Sequence, residues 1–165
     1  MSNSAFYSIV NEGVLLGNMN GAVLSTTPVA VTGATLTVTP NAHAGRTTVI
    51  NAAAGCAVTL PNATGTGSVY RFVIGTTITS NSTTIKVNNA TDVMTGRAFV
   101  ISDNSAAVLG YATAASSDTI TLNGTTLGGL VGDHIEIIDA IAGTYAVRVF
   151  TSATGTEATP FSATV

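Results

Sequence analysis

Charge is what this sequence has least of: five Lys or Arg and eight Asp or Glu make up 8% of 165 residues, where an average soluble domain carries roughly 25%. Five cations in a chain of net charge −3 cannot form the basic patch that binds phosphates by counterion release, so no nucleic-acid partner is expected. A surface covered by Thr, Ser, Asn and Ala in place of charge predicts that much of it is buried against protein neighbours. Cysteine is nearly absent too. Cys56 stands alone, which excludes an internal disulfide. In AAAGCAVTL, with no His or Asp nearby to lower its pKa, it reads as an inert core thiol. Long apolar runs are also lacking. Mean hydropathy is +0.47, yet Thr, Ser, Asn or Gly interrupts every apolar stretch before the roughly 18 to 20 residues of a spanning helix, so no membrane is expected. The start MSNSAFYSIVNEG has neither the basic nor the apolar region of a secretion signal, and synthesis in a cytoplasm is expected.

Catalytic patterns are equally scarce. His43 and His134 are far apart and belong to no metal-ligand spacing. Ser is abundant, but no G-x-S-x-G elbow occurs. Gly65-Thr66-Gly67-Ser68 lacks the Lys-Thr of a phosphate loop and opens onto a strand, so it reads as a turn. Asp133, Glu136 and Asp139 are the one acidic cluster. On an extended strand Glu136 faces away from both aspartates, which lie about 20 Å apart at 3.3 Å per residue, a poor calcium site. The carboxylates are too scattered for a glycoside hydrolase. No enzyme, metal or cofactor is expected.

What is present is β structure. About one residue in six is Thr, Val and Ile are common, and short alternating runs are broken by Gly, Asn and Asp at roughly 8- to 12-residue intervals. The pattern predicts an all-β chain: a single sandwich or jelly-roll-like domain of short antiparallel strands over residues 31–151. An extended N-terminal arm over 1–30 precedes it and an extended C-terminal segment over 152–165 follows. Strands are predicted at 34–39, 47–50, 57–60, 70–74, 83–87, 98–102 and 108–112. Tyr70, Phe72 and Ile74 share a core face. Thr119–Leu122 runs into Asn123-Gly124, the signal of a hairpin. In Asp133–Phe150 a turn near Ala142 sets Ile135 opposite Val149 and Ile137 opposite Val147 inside, with Glu136 opposite Arg148 outside. A slip of one residue would turn the charges inward, so the Glu136–Arg148 pair fixes the register. In the arm, Phe6, Tyr7, Ile9, Val10, Leu15 and Leu16 are apolar without a core of their own. They need another surface to lie on, either their own domain or a neighbouring subunit, and are candidate partner-binding residues. Phe161 is the large apolar residue of the C-terminal segment and a candidate anchor.

The succession TLPNATGTGSVYRFVIGTT, SNSTTIKVNNATDVMTGRAFV and DTITLNGTTLGGLVGDHIEIIDAIAGTYAVRV, over residues 58–149, resembles a β-rich domain of virion proteins of tailed bacteriophages, in particular head decoration (capsid cement) proteins. The order LP-x-ATGTG, YRFVIGT, TITLNGTT and GD-x-IE-x-ID carries the resemblance. It implies a jelly-roll-like or sandwich domain that assembles, often as a trimer, on the outside of a capsid and bridges neighbouring capsomers. The family brings no catalytic residues. The expected partners are further copies of the chain and the major capsid protein, and the expected location is the virion surface. The alternative is a tail-fibre or receptor-binding module for a host surface glycan, with Tyr111 and Tyr145 as its stacking candidates.

Overall fold

The computed structural model describes residues 27–103 and 105–165. Among the described residues twelve strands form two sheets, one of seven strands and one of five, and the chain is an all-β sandwich. In chain order they are β1 (Val29–Val31), β2 (Thr35–Thr37), β3 (Thr47–Ile50), β4 (Ala57–Thr59), β5 (Val69–Ile74) and β6 (Thr83–Lys86). There follow β7 (Val93–Ser102), β8 (Val108–Ala112), β9 (Thr119–Leu122), β10 (His134–Ile141), β11 (Thr144–Ala153) and β12 (Phe161–Ser162). A single-turn helix, α1 (Pro40–His43), joins β2 to β3. The larger sheet runs β1-β3-β5-β10-β11-β7-β8 and the smaller β12-β9-β6-β4-β2.

From β1 to β6 the chain alternates between the two sheets at every strand. Consecutive strands of one sheet are therefore parallel: β1 with β3, β3 with β5, β2 with β4, and β4 with β6. A parallel pair needs a long crossover, and here the strand in the opposite sheet supplies it. Both sheets are thus mixed, where uniformly antiparallel strands were expected. Spacing between short strands does not distinguish a hairpin from an arch across the sandwich. The Asn123-Gly124 turn shows this directly. It does not fold β9 against the following strand. β9 pairs with β6 and with β12, some forty residues further on, while Asn123 Oδ1 accepts from the Thr125 and Leu127 N–H groups and Gly124 takes a φ of 76°.

The core lies between the sheets. Alternation places Tyr70, Phe72 and Ile74 on the inner face of β5, facing Ile85, Ile120 and Leu122 from the smaller sheet, all fully or nearly fully buried. The β10–β11 hairpin has the expected register: Ile135 opposite Val149, Ile137 opposite Val147, and Glu136 opposite Arg148. Two segments assigned to extended ends belong to the sandwich. β1 lies at the edge of the larger sheet, and β12 closes the smaller one with Phe161 opposite Ile120 and buried. Phe161 thus anchors the C-terminal segment to its own domain. The candidate arm residues Phe6, Tyr7, Ile9, Val10, Leu15 and Leu16 lie outside the described residues.

Candidate interaction surface

Four of the eight acids prove to be loop clamps. Asp92, Asp118, Asp133 and Asp139 are all buried, and each accepts hydrogen bonds from backbone N–H groups. A buried carboxylate persists only where such donors replace water. Asp139 accepts from the Thr64, Gly65 and Thr66 N–H groups at 2.9, 2.7 and 3.0 Å and from the Thr66 hydroxyl at 2.7 Å. The Gly65-Thr66-Gly67 turn is therefore an anion nest whose anion is the chain's own carboxylate. Burial raises the Asp139 pKa, but the Thr66, Gly65 and Thr64 donors outweigh it and hold the carboxyl below its usual value. Asp118 is similar. It ties down the C-terminal end through the Thr164 and Val165 N–H groups and the Thr119 hydroxyl, which bring it below its usual value against the opposing effect of burial. Asp133 receives Gly129, Leu130 and Ser152 N–H, yet there burial prevails and pushes the carboxyl up. Asp92 holds the Ala63 N–H at 2.7 Å.

The remaining candidates for chemistry are also engaged. Cys56 is buried, and burial raises its thiol pKa, opposite to a nucleophile. The His43 Nδ1 lies 3.1 Å from both the backbone nitrogen and the carbonyl oxygen of Thr39, a fold contact at α1. Tyr145 is fully buried and donates to the Pro61 carbonyl at 2.7 Å, and Tyr111 donates to the Glu157 carbonyl at 2.9 Å. The Tyr145 ring is enclosed, and the Tyr111 ring is half-buried against the core. Among the described residues, no three His, Cys, Asp or Glu side chains gather as a metal site, and no helix is long and apolar enough to cross a membrane.

What stands open is the outer face of the larger sheet. Register brings one row of residues across it: Val49, Val73, His134, Phe150, Phe99 and Gly110. The Phe99 and Phe150 rings stack at 5.4 Å with 15° between planes, and they are 41% and 49% exposed. Toward β8 the apolar surface continues through Ile101 and Val108, which face each other across β7 and β8 and are both more than half exposed. The adjacent row is charged: Thr47, Arg71, Glu136, Arg148, Arg97 and Ala112. Here Glu136 is nearer Arg71, at 3.2 Å, than its hairpin partner Arg148, at 3.9 Å. The predicted pair exists, but a third strand supplies the shorter contact. Open grooves of about 470 and 520 Å³ flank the phenylalanine stack. The first is lined by Arg97, Glu136 and Arg148, the second by Ile101, Val108 and Val131.

β8 ends the sheet. Its sequence, VLGYA, has no charge and no proline, the devices that usually keep a sheet edge from pairing with another chain. Comparison with known protein families, curated proteins and solved structures finds no match.

Proposed function

We propose that this chain is an assembling structural protein, a head decoration or cement protein of a tailed bacteriophage. It associates with copies of itself, as a trimer by family resemblance, and bridges major capsid protein subunits on the outer capsid surface. The observation that carries this reading is the outer face of β11, β7 and β8, where stacked phenylalanines run into an uncharged edge strand. Contiguous exposed apolar surface of this kind marks protein contacts, and an open apolar edge favours association along it.

The chemistry favours assembly over the alternatives. Buried aspartates that hold loops are not free to act as acids or bases. The test is a mass-calibrated measurement of oligomeric state, followed by binding to purified expanded heads lacking decoration protein and imaging of the particles. Oligomers that bind the outer surface are expected. A monomer that leaves the heads bare overturns the proposal.

A further inference from the structure

We propose that β8 pairs antiparallel with β8 of a second copy about a two-fold axis at Gly110, which joins two seven-stranded sheets into one. The proposal deepens the reading above and rests on it, since it requires that the chain assemble. An isologous contact joins copies two at a time, so it is distinct from any three-fold contact within a trimer.

The edge supplies the hydrogen bonds. Ser102 N–H donates to the Ala107 carbonyl, and Thr113 N–H donates to the Gly96 carbonyl. Hydrogen-bonded pairs of an antiparallel ladder recur at every second residue, so Leu109 and Tyr111 bond to Val100 and Ala98 of β7. Val108, Gly110 and Ala112 therefore turn their N–H and C=O groups away from β7, and among the described residues no hydrogen bond engages them. These groups are evenly spaced about Gly110. They match a copy of themselves running the other way, with Val108 against Ala112, Gly110 against Gly110 and Ala112 against Val108. β8 has five residues, whereas the other sheet edges, β1, β2 and β12, have three, three and two, and very short edges offer little to pair with.

The side chains fit the same axis. Val108, Gly110 and Ala112 stand on the outer face, in rows with Ile101, Phe99 and Arg97. Gly110 would meet Gly110 at the axis, where even an added β-carbon has nothing within 4 Å. The two strands approach there without obstruction, and Phe150 and Phe99 of both copies fall in one apolar row. On the inner face Leu109, 37% exposed, comes opposite Tyr111 of the second copy, which extends the apolar packing of that ring.

Charge does not oppose the pairing. VLGYA carries none, and the axis keeps the arginine rows apart. Arg97 lies two residues to one side of the Phe99–Gly110 row, and its image lies two residues to the other side. The two positions are four residues apart along the strands and three strand spacings across, about 20 Å at 3.4 and 4.8 Å. That exceeds the screening length of about 8–10 Å.

The test uses the full chain with cysteines placed on the edge, in a glutathione redox buffer. Cys56 is buried and does not compete. Gly110→Cys should form a disulfide-linked dimer, because hydrogen-bonded antiparallel partners stand about 5.5 Å apart at Cα, within disulfide reach. Nitrogen-15-labelled Val108→Cys mixed with unlabelled Ala112→Cys should give dimers of mixed mass. Either variant alone should give few, since the two copies of each position are about 14 Å apart. Gly110→Lys sets like charges opposite each other and should raise the dissociation constant of the dimer about two- to fivefold, less in high salt. No Gly110 disulfide, as many links from one variant alone as from the mixture, or an unchanged dissociation constant overturns the proposal. An oligomer by mass without these links overturns it alone, whereas a monomer that leaves the heads bare overturns the assembly reading as well.

Discussion

Replacing Asp139 by Asn keeps the size of the side chain but removes its charge and turns one acceptor into a donor. In the folded protein the Asp139 carboxylate takes three backbone N–H groups and the Thr66 hydroxyl, with the Thr64 hydroxyl at 3.3 Å. A hydrogen bond to a charged group contributes about 1.5–3 kcal/mol, and a buried donor left unpaired costs about 1–3 kcal/mol. These terms do not add, because the donors share one carboxylate. Thr64, Gly65 and Thr66 are also exposed, so water reaches part of what is freed. The expected loss for Asp139→Asn is therefore about 2–4 kcal/mol, or roughly 5–15 °C in Tm for a domain of this size. Urea unfolding at pH 7 should show a lower midpoint with the slope unchanged. The pH dependence gives a second check. Because the folded carboxyl titrates below its usual value, its stabilisation is complete above the unfolded pKa, about 3.9. It is lost as pH falls through the folded value. The gap between wild type and variant should hold from pH 7 to about 5 and close below about 4. A gap under about 1 kcal/mol at pH 7, or one independent of pH, would refute the nest as a clamp.

Other perturbations separate the remaining interactions. Asp133 has the opposite sign: burial holds its carboxyl above the usual value, so ionisation costs the folded state as pH rises from the unfolded pKa through the folded one. Wild type should gain on Asp133→Asn as pH falls through that window, measured by the same unfolding series. Gly124→Ala puts a β-carbon against the Ile78 carbonyl at a φ of 76°. A loss of about 2 kcal/mol or more is expected by thermal unfolding, and a neutral result would refute that close approach. Glu136→Gln should cost no more than about 1 kcal/mol, less in high salt, since the Arg71 and Arg148 side chains are 39% and 71% exposed. The Cys56 thiol should resist a thiol reagent until the protein unfolds, which a denaturant-dependent labelling assay would show.

Local pattern revealed the strands and hid their neighbours. The exact span of β3 and of β8 was legible from alternation and turn residues, as was the β10–β11 register, where core and charge agree on one alignment. The path of the chain was not. The arches between sheets in β1–β6 and the return of β12 to β9 depend on contacts between distant residues, and period-two alternation is the same for parallel and antiparallel neighbours. β7 also proved longer than expected, beginning at Val93 where Ala98 was predicted, because Gly96 interrupts the β-propensity without interrupting the pairing with Val147. On the interaction face, Glu136 and Arg148 could be found in sequence because they share a hairpin. The Phe99–Phe150 stack could not, since it joins strands separated by β8, β9 and β10.

Scarcity of charge acquires a more specific meaning once the acids are placed. Four of the eight, Asp92, Asp118, Asp133 and Asp139, are withdrawn into loop clamps, where they replace water around backbone N–H groups that a sandwich of short strands leaves without ladder partners. Among the described residues that leaves Asp103, Glu136 and Glu157 to set against five cations. Three of those cations lie in one row beside the exposed phenylalanines. A net charge of −3 is thus compatible with a locally basic, apolar face, because half of the negative charge is spent inside the fold. The two features have one cause: the clamps that make short strands and long loops stable also remove the carboxylates that would otherwise neutralise the arginine row, and this gives the apolar face a sign that a neighbour can recognise.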